Sequence, residues 1–283
     1  HTRFVRNIFL RSSSIHNKWT ANSDKNGAVD SIRSHDLWME GNVYVGGEIG
    51  ISAGGNTDHN TGPRWKDITI QDNFMLAIGR DQPTNRNLGW YIEANDWDGG
   101  LICGNYLLNN DNASVNNLVA INLSGHSSDV SIVQNTIYGL KREEPGMSAI
   151  KIGPDPKKNI TVLSNSIQLA ESKLGVLDVF NIADISFNDN AYSSGADPDQ
   201  WFQINGSDEG FDSWVDLSKD INSTAIQHDF SAPPRSFETY LSLVGSSDSI
   251  DDFIGLVVNQ SRMVWRKDLT AEAITSYLRE GYG

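Results

Sequence analysis

The side chains that could do chemistry recur at one position of short segments whose apolar residues alternate. With these segments aligned, this third position holds, in order, Arg33, Ser52, Glu93, Asn122 and Lys151. The second and fourth positions are apolar or small and should face the core, so the first, third and fifth should face solvent. Neighbouring strands lie about 4.8 Å apart, so the third position would form a row of polar groups along one exposed face.

Such a row suits the cleavage of an acidic polysaccharide by β-elimination. A lyase of this kind needs a cation on the substrate carboxylate, a base for the carbon-bound proton and an acid for the leaving oxygen. The predicted catalytic residues are Arg33, His35, Glu93 and Lys151. The candidate neutralising cations are Arg33, Lys151, Arg86 and Arg64, and the candidate bases are His35, Lys151 and His59. Lys151 would lie two strands, about 10 Å, from Glu93, which suits groups on either side of a bound sugar.

Two long connections border this face and would supply substrate-binding groups. Residues 56–66 follow the segment that contains Ser52, and residues 80–90 precede the segment that contains Glu93. Aromatic rings stack on sugars, whereas Arg and Asn side chains bind hydroxyls and carboxylates. The predicted substrate-binding residues are Ser52, His59, Arg64, Trp65, Arg80, Arg86, Trp90, Tyr91, Asn95, Trp97 and Asn122. Alternatively, one or two of these tryptophans only cover the protein core.

Two other functions use the same face. An inverting glycoside hydrolase needs two carboxylates about 6.5–9.5 Å apart, and Glu93 would then act with Asp96 or Asp98. A non-catalytic carbohydrate-binding protein or tailspike-like adhesin would need no acid–base pair. No cofactor is required by any of these functions, but Asp96 and Asp98 are candidate calcium ligands because calcium binds carboxylate oxygens.

A repeat of about 30 residues must position these groups. An Asp, Asn or Gly opens a short alternating segment, and an Asn closes it six positions later, in residues 36–42, 67–73, 99–105, 129–135, 159–165 and 184–190. The closing asparagines are 31, 32, 30, 30 and 25 residues apart, and residues 7–13 fit the frame with Ser13 in the closing place. The alternation predicts strands, and the closing asparagines could adopt a left-handed bend and stack their amides.

The repeat predicts an all-β fold, a right-handed parallel β-helix, because no helical pattern separates the strands. The D-I-T-I-x-x-N pattern of residues 67–73 resembles the pectate-lyase-like superfamily of right-handed parallel β-helices, and the likeness covers about residues 1–192. This resemblance implies a carbohydrate-active protein, since the superfamily includes polysaccharide lyases, glycoside hydrolases, uronan epimerases and phage tailspikes. No family-defining catalytic motif is recognised, so no residue roles follow from it.

Residues 1–192 are predicted to form the coils, and residues 193–283 a C-terminal wrapping and capping segment. Residues 193–235 are rich in Asp, Ser, Gly and Pro and are predicted to be extended. Two short helices should follow: one capped by Ser249 before Phe253, Ile254, Val257 and Val258, the other with apolar residues from Ala271 to Leu278 and a C′ glycine at Gly281. The chain starts in a strand-like pattern, so an N-terminal portion is expected to be missing, and the sequence leaves open whether such coils or a second chain complete the groove.

Composition limits the partners. The chain has 283 residues and a net charge of −14 without clustered cations, which argues against nucleic acid and anionic membranes. No apolar run approaches the roughly 18 residues of a membrane span, and the single Cys103 excludes an internal disulfide framework. Residues 1–190 carry −5 and residues 191–283 carry −9, which leaves room for an acidic polysaccharide on the coils. We expect a secreted or periplasmic bacterial protein.

Overall fold

The structure is a computed structural model that describes residues 2–11, 15–19, 36–55, 65–110, 112–170, 172–227, 230, 235, 237–247 and 249–282. These residues form three sheets, here called A, B and C, in which all but one of the strand pairs are parallel. The chain enters A, then B, then C, and repeats this order seven times. A largely β fold with three parallel sheets is therefore confirmed, and the rotation of the chain among them is consistent with a solenoid.

Each sheet receives one strand from every turn of the chain. Sheet A contains, in order, β1 (Thr2–Val5), β4 (Leu37–Glu40), β7 (Trp65–Gln71), β10 (Trp97–Cys103), β13 (Ser127–Val133), β16 (Lys157–Leu163) and β19 (Ile185–Asn188). Sheet B contains β2 (Ile8–Leu10), β5 (Val43–Val45), β8 (Phe74–Leu76), β11 (Tyr106–Leu108), β14 (Thr136–Tyr138), β17 (Ser166–Gln168) and β20 (Ala191–Ser193). Sheet C contains β3 (Ile15–Trp19), β6 (Ile49–Gly55), β9 (Leu88–Asn95), β12 (Asn117–Ser124), β15 (Ser148–Ile152), β18 (Gly175–Val179), β21 (Phe202–Ile204) and the antiparallel β22 (Ser207–Glu209).

The closing asparagines form a continuous ladder between sheets A and B, which is buried from Asn42 to Asn190 and begins at the exposed Asn7. In each turn the Asn side chain donates to the Oδ1 atom of the next Asn at 2.9–3.1 Å, through Asn7, Asn42, Asn73, Asn105, Asn135, Asn165 and Asn190. The same amide also donates to a main-chain carbonyl, as Asn105 does to Ile70 O at 2.9 Å. The predicted stacking of the amides is therefore confirmed. Because these groups are buried, the ladder also fixes the register of neighbouring turns.

Two details of the predicted repeat are wrong. Asn7 is itself a ladder residue that donates to Asn42 Oδ1, so it closes its segment and does not open a frame that ends at Ser13. The left-handed bend also lies one residue earlier than expected, at positions such as Asp72 and Gln134, whose φ angles are 56° and 54°. The ladder asparagines themselves have negative φ angles, and their side chains form the hydrogen bonds between neighbouring turns.

The C-terminal part of the chain contains four helices within the described residues. They are α1 (Phe211–Ser218), α2 (Phe237–Leu243), α3 (Ile250–Val258) and α4 (Ala271–Tyr282), besides single 3₁₀ turns at Pro198–Gln200 and Lys267–Leu269. The two predicted helices are α3, whose N-cap Ser249 accepts a hydrogen bond from Asp251 N, and α4. Gly281 is not a C′ glycine, because α4 runs past it. Helix α1 lies in the stretch that was expected to be extended.

These helices pack on two different parts of the strands. Helices α2, α3 and α4 cover apolar side chains of sheet B, and Val43, Phe74 and Leu108 share one buried cluster with Phe253 and Leu278. Helix α1 instead joins the interior cluster of the sheets. The Trp214 ring stacks on Phe202 at 4.9 Å, and its Nε1 donates to the buried carboxylate of Asp220 at 3.0 Å. No helix in the described residues has the length and apolar composition needed to cross a membrane.

Candidate functional site

The register of sheet C brings the central predicted residues into one row. Ser52 pairs with Glu93, Glu93 with Asn122, and Asn122 with Lys151, each on adjacent parallel strands. Their exposure decreases toward the first of these strands: Lys151 is exposed, Asn122 and Glu93 are half-buried, and Ser52 is 3% exposed. The alternation of the strands therefore gave the correct register for these four residues.

The row continues to two residues that the sequence analysis did not include. Lys151 pairs with Asp178 on β18, and Asp178 pairs with Gln203 on β21. We call Ser52, Glu93, Asn122, Lys151, Asp178 and Gln203 the sheet C row. The signal for Asp178 was present in the alternation of residues 176–179, but a leucine at position 177 replaces the isoleucine common to the other segments.

At the N-terminal end of the row the predicted order is wrong. The strand next to β6 is β3, and its His16 pairs with Ser52 in the backbone register. The sequence analysis placed Arg33 beside Ser52, where the register has His16 instead. Arg33, His35, His59 and Arg64 all lie outside the described residues, so their proposed roles stay predictions.

Lys151 and Asp178 form an ion pair at the exposed end of the row. Lys151 Nζ lies 2.7 Å from Asp178 Oδ2, and the two side chains are 46% and 21% exposed. A pair this accessible to solvent contributes little to folding stability, about 1 kcal/mol or less. The main effect of this ion pair is to orient the ammonium group of Lys151. The sequence alone did not indicate this ion pair.

Glu93 and two amide oxygens form the more buried part of the row. Ser52 Oγ donates to Glu93 Oε2 at 3.2 Å. The Oδ1 atoms of Asn122 and of Asn95, which follows Glu93 by two positions, are buried and accept no hydrogen bond from any described residue. Buried acceptors normally have a donor, but because both atoms are buried a sugar on the outer face of sheet C does not reach them in this conformation.

Three of the four aromatic residues predicted to stack on a sugar are buried, so the prediction is wrong for them. Trp65, Tyr91 and Trp97 are 1%, 0% and 0% exposed, so none of them can present a ring face to a sugar. Tyr91 Oη donates to Leu108 O at 3.0 Å, and Trp97 Nε1 donates to Ala53 O at 2.8 Å. Trp90, the remaining predicted platform, is half-buried.

The first position of the segments was also expected to face solvent, and this is wrong as well. Tyr91, Ala120 and Ala149 are fully buried, as are the isoleucines that follow them. Two successive buried residues break the alternation at the start of the segment. The fifth position is buried too at Asn95 and Gly153, so the expected in-and-out pattern holds mainly at the third position, from Glu93 to Lys151.

Arg80 and Arg86 are held by protein carboxylates. Arg80 Nη2 lies 2.8 Å from Asp251 Oδ2 at the start of α3, and the hydrogen bond that Arg80 donates to Asp251 raises the pKa of Arg80. Arg86 Nη2 lies 2.9 Å from Glu48 Oε2, a fully buried side chain. Burial raises the pKa of Glu48, but the hydrogen bonds from Thr84 and Arg86 outweigh it and lower this pKa overall. In the structure these two cations hold the loop 80–90 and the helices in place.

Asp96 and Asp98 lie beyond the end of the sheet C strand. Asp98 is in sheet A, where it accepts from Ser128 Oγ at 3.1 Å and lies 3.3 Å from Lys66 Nζ. Asp96 accepts from His126 N at 2.8 Å, and burial raises its pKa. No group of three or more potential metal-binding side chains occurs among the described residues.

Lys157 is a half-buried cation beside this turn that the sequence did not indicate. Its Nζ atom donates to the carbonyl oxygens of Gly125, Gly153 and Asp155 at 2.8, 3.3 and 2.7 Å. Burial lowers the pKa of Lys157 to about 8, against the opposing effects of Asp155 and Asp96. Because its three protons bond main-chain oxygens, Lys157 fixes the turn between sheets C and A next to the row.

In comparisons with known proteins, no protein-family model, no curated protein and no solved structure matches this chain significantly.

Proposed function

We propose that this protein is a secreted polysaccharide lyase that binds an acidic polysaccharide along the outer face of sheet C and cleaves it by β-elimination. The single observation that carries the proposal is the sheet C row, with a carboxylate, an amide and an amine on successive strands. We also propose that the three sheets wind as a right-handed parallel β-helix of the pectate-lyase-like type. Rigid parallel strands would hold the row at a fixed spacing, which suits a regular polymer.

Elimination assigns different roles to the charged groups. A base removes the proton from the carbon next to the uronate carboxyl group, a double bond forms to the neighbouring carbon, and the sugar oxygen on that carbon leaves and takes a proton. Lys151, oriented by its ion pair with Asp178, fits the role of the cation that neutralises the carboxyl group. His35 stays the proposed base, with Arg33 as a second cation. Glu93 and Asn122 would bind hydroxyls.

The glycoside hydrolase is less well supported. The neighbours of Glu93 in the row are Ser52 and Asn122, and neither is a carboxylate. Asp178 is three strands from Glu93, about 14 Å, which exceeds the separation that an inverting pair uses. Asp98 is in another sheet and is paired with Lys66. Asp96 is the remaining partner for that mechanism.

The experiment is incubation with alginate, pectate and glycosaminoglycans while two products are followed. Elimination creates an unsaturated uronate that absorbs ultraviolet light, together with a new reducing end, whereas hydrolysis creates only the reducing end. Lys151→Ala should abolish most of the ultraviolet signal. Lys158→Ala is the matched control, because Lys158 is an exposed lysine of sheet A. Reducing ends without ultraviolet absorbance would indicate the hydrolase, and binding without either product would indicate the non-catalytic binding protein.

A further inference from the structure

The outer face of sheet B changes from apolar to polar along the stack of strands. Leu108, Tyr138, Gln168 and Ser193 are successive neighbours in this sheet. On the strands before them the corresponding side chains are Val45 and Leu76, which helices α2–α4 bury. Beyond Leu108 this face is only partly covered, because Tyr138 and Ser193 are half-buried and Gln168 is 8% exposed.

A cavity of about 540 Å³ lies over this polar part of sheet B. Its volume is within the range typical of small-molecule sites, roughly 300–1,000 Å³. Hydroxyl and amide groups dominate the lining, which includes Asn109, Tyr138, Lys141, Gln168, Ser193 and Gln227. The Tyr138 ring is held by edge-on contacts with Phe230 and Tyr282, at 5.4 and 5.3 Å between centroids.

The described residues that line the cavity carry a single positive charge. Lys141 is its one charged residue among the described residues, and no described carboxylate forms an ion pair with its ammonium group. A ligand that suits the cavity therefore combines several hydroxyl groups with a single negative charge. Amide and hydroxyl side chains can both donate to and accept from sugar hydroxyls, and the amine can pair with one carboxylate.

We propose that this cavity on sheet B is a second binding site, for a single acidic sugar such as a hexuronate. Lys141 binds the carboxylate, Gln168 and Gln227 bind hydroxyls, and Tyr138 contacts the ring. The site is separate from the sheet C row, and its chemistry follows from its own lining, so it does not depend on the proposed lyase activity.

The test is calorimetric titration of the full chain with glucuronate and galacturonate, and with glucose and galactose as neutral probes. The acidic sugars should bind more tightly than the neutral ones. Lys141→Gln should reduce the affinity for the acidic sugars about fivefold, to that of the neutral ones, since it removes one partly exposed ion pair. Gln168→Ala should weaken the binding of both kinds of sugar.

Two control variants separate this site from other cationic surfaces. Lys158→Gln removes an exposed lysine of sheet A and should leave the monosaccharide affinity unchanged, whereas Lys151→Ala removes the cation of the sheet C row and measures what that row contributes to the binding. The proposal is overturned if the wild-type chain binds no acidic sugar, if acidic and neutral sugars bind equally, or if Lys151→Ala abolishes binding while Lys141→Gln does not. Loss of lyase activity in Lys151→Ala with intact monosaccharide binding would support both sites.

Discussion

Lys151 Nζ lies 2.7 Å from Asp178 Oδ2, and the two residues are direct neighbours on adjacent strands of sheet C. The parallel register places the carboxylate beside the amine and leaves both accessible at the surface. A lysine side chain has four rotatable bonds, so an ion pair of this kind restricts where its charge is presented. The position of the cation on the sheet C row therefore depends on Asp178.

Asp178→Asn should lower the kcat/KM of the proposed lyase about fivefold, because the amide keeps the size of the side chain but no longer holds the ammonium group by charge, a loss of about 1 kcal/mol. Stability should change by less than about 1 kcal/mol, since the pair is exposed to solvent. Asp184→Asn is the control, as it removes the same charge from an exposed turn. Equal activity of the two variants and the wild type would contradict the orienting role of Asp178.

Glu93→Gln distinguishes elimination from hydrolysis. A lyase that uses Glu93 only to bind hydroxyls should keep a measurable rate, within about tenfold of the wild type, because the amide can still accept from Ser52 Oγ. A hydrolase that uses Glu93 as its acid should lose about 10²–10⁴-fold. Both rates are measured on the same polysaccharide by ultraviolet absorbance and by reducing ends. Near-complete loss of both signals would contradict the role of Glu93 in binding hydroxyls and would indicate that Glu93 acts as a catalytic acid.

Asn105→Ala should destabilise the fold by about 3 kcal/mol or more. The Asn105 side chain accepts from the backbone and side-chain amides of Asn73 and donates to Asn135 and Ile70 O. Each buried group left without a partner costs about 1–3 kcal/mol. Urea unfolding measures the change, with Ser131→Ala on the outer face of sheet A as a control that should differ by about 0.5 kcal/mol or less. Equal midpoints for the two variants would show that the ladder does not stabilise the protein.

Glu48 makes stability depend on pH. Its pKa is lower in the folded protein than the ordinary value of 4.5, because the hydrogen bonds from Thr84 and Arg86 outweigh burial. The ionised carboxylate therefore stabilises the fold above pH 4.5, and this contribution is lost as the pH falls through the folded pKa. Urea unfolding from pH 7 down to pH 3 should show this loss in the wild type.

Glu48→Gln should be about 1–3 kcal/mol less stable than the wild type at neutral pH, since the buried acceptor loses its charge and part of its hydrogen bonding. Its stability should also fall less between pH 5 and pH 3. Glu143→Gln, at an exposed position on another loop, should follow the wild-type curve. Identical pH curves for Glu48→Gln and the wild type would contradict this assignment.

The interior of the repeat was accessible from sequence because its constraints are local and periodic. Buried asparagines need amide partners, and strands of fixed length place every second residue on one face, so residues 36–190 could be aligned with one another. The same reasoning found Ser52, Glu93, Asn122 and Lys151 in their true order. It did not find His16, the register partner of Ser52, because connections of different length precede sheet C and periodicity cannot align them.

The sequence by itself determined the repeating strands, the asparagine ladder and the central register of the sheet C row. Only the tertiary structure decided which polar side chains are available there. It buried Tyr91 and Trp97, paired Lys151 with Asp178, and placed α2–α4 over the apolar part of sheet B. The physical reason is that strand alternation is a property of neighbouring residues, whereas burial, ion pairing and helix packing depend on groups that lie far apart in the chain.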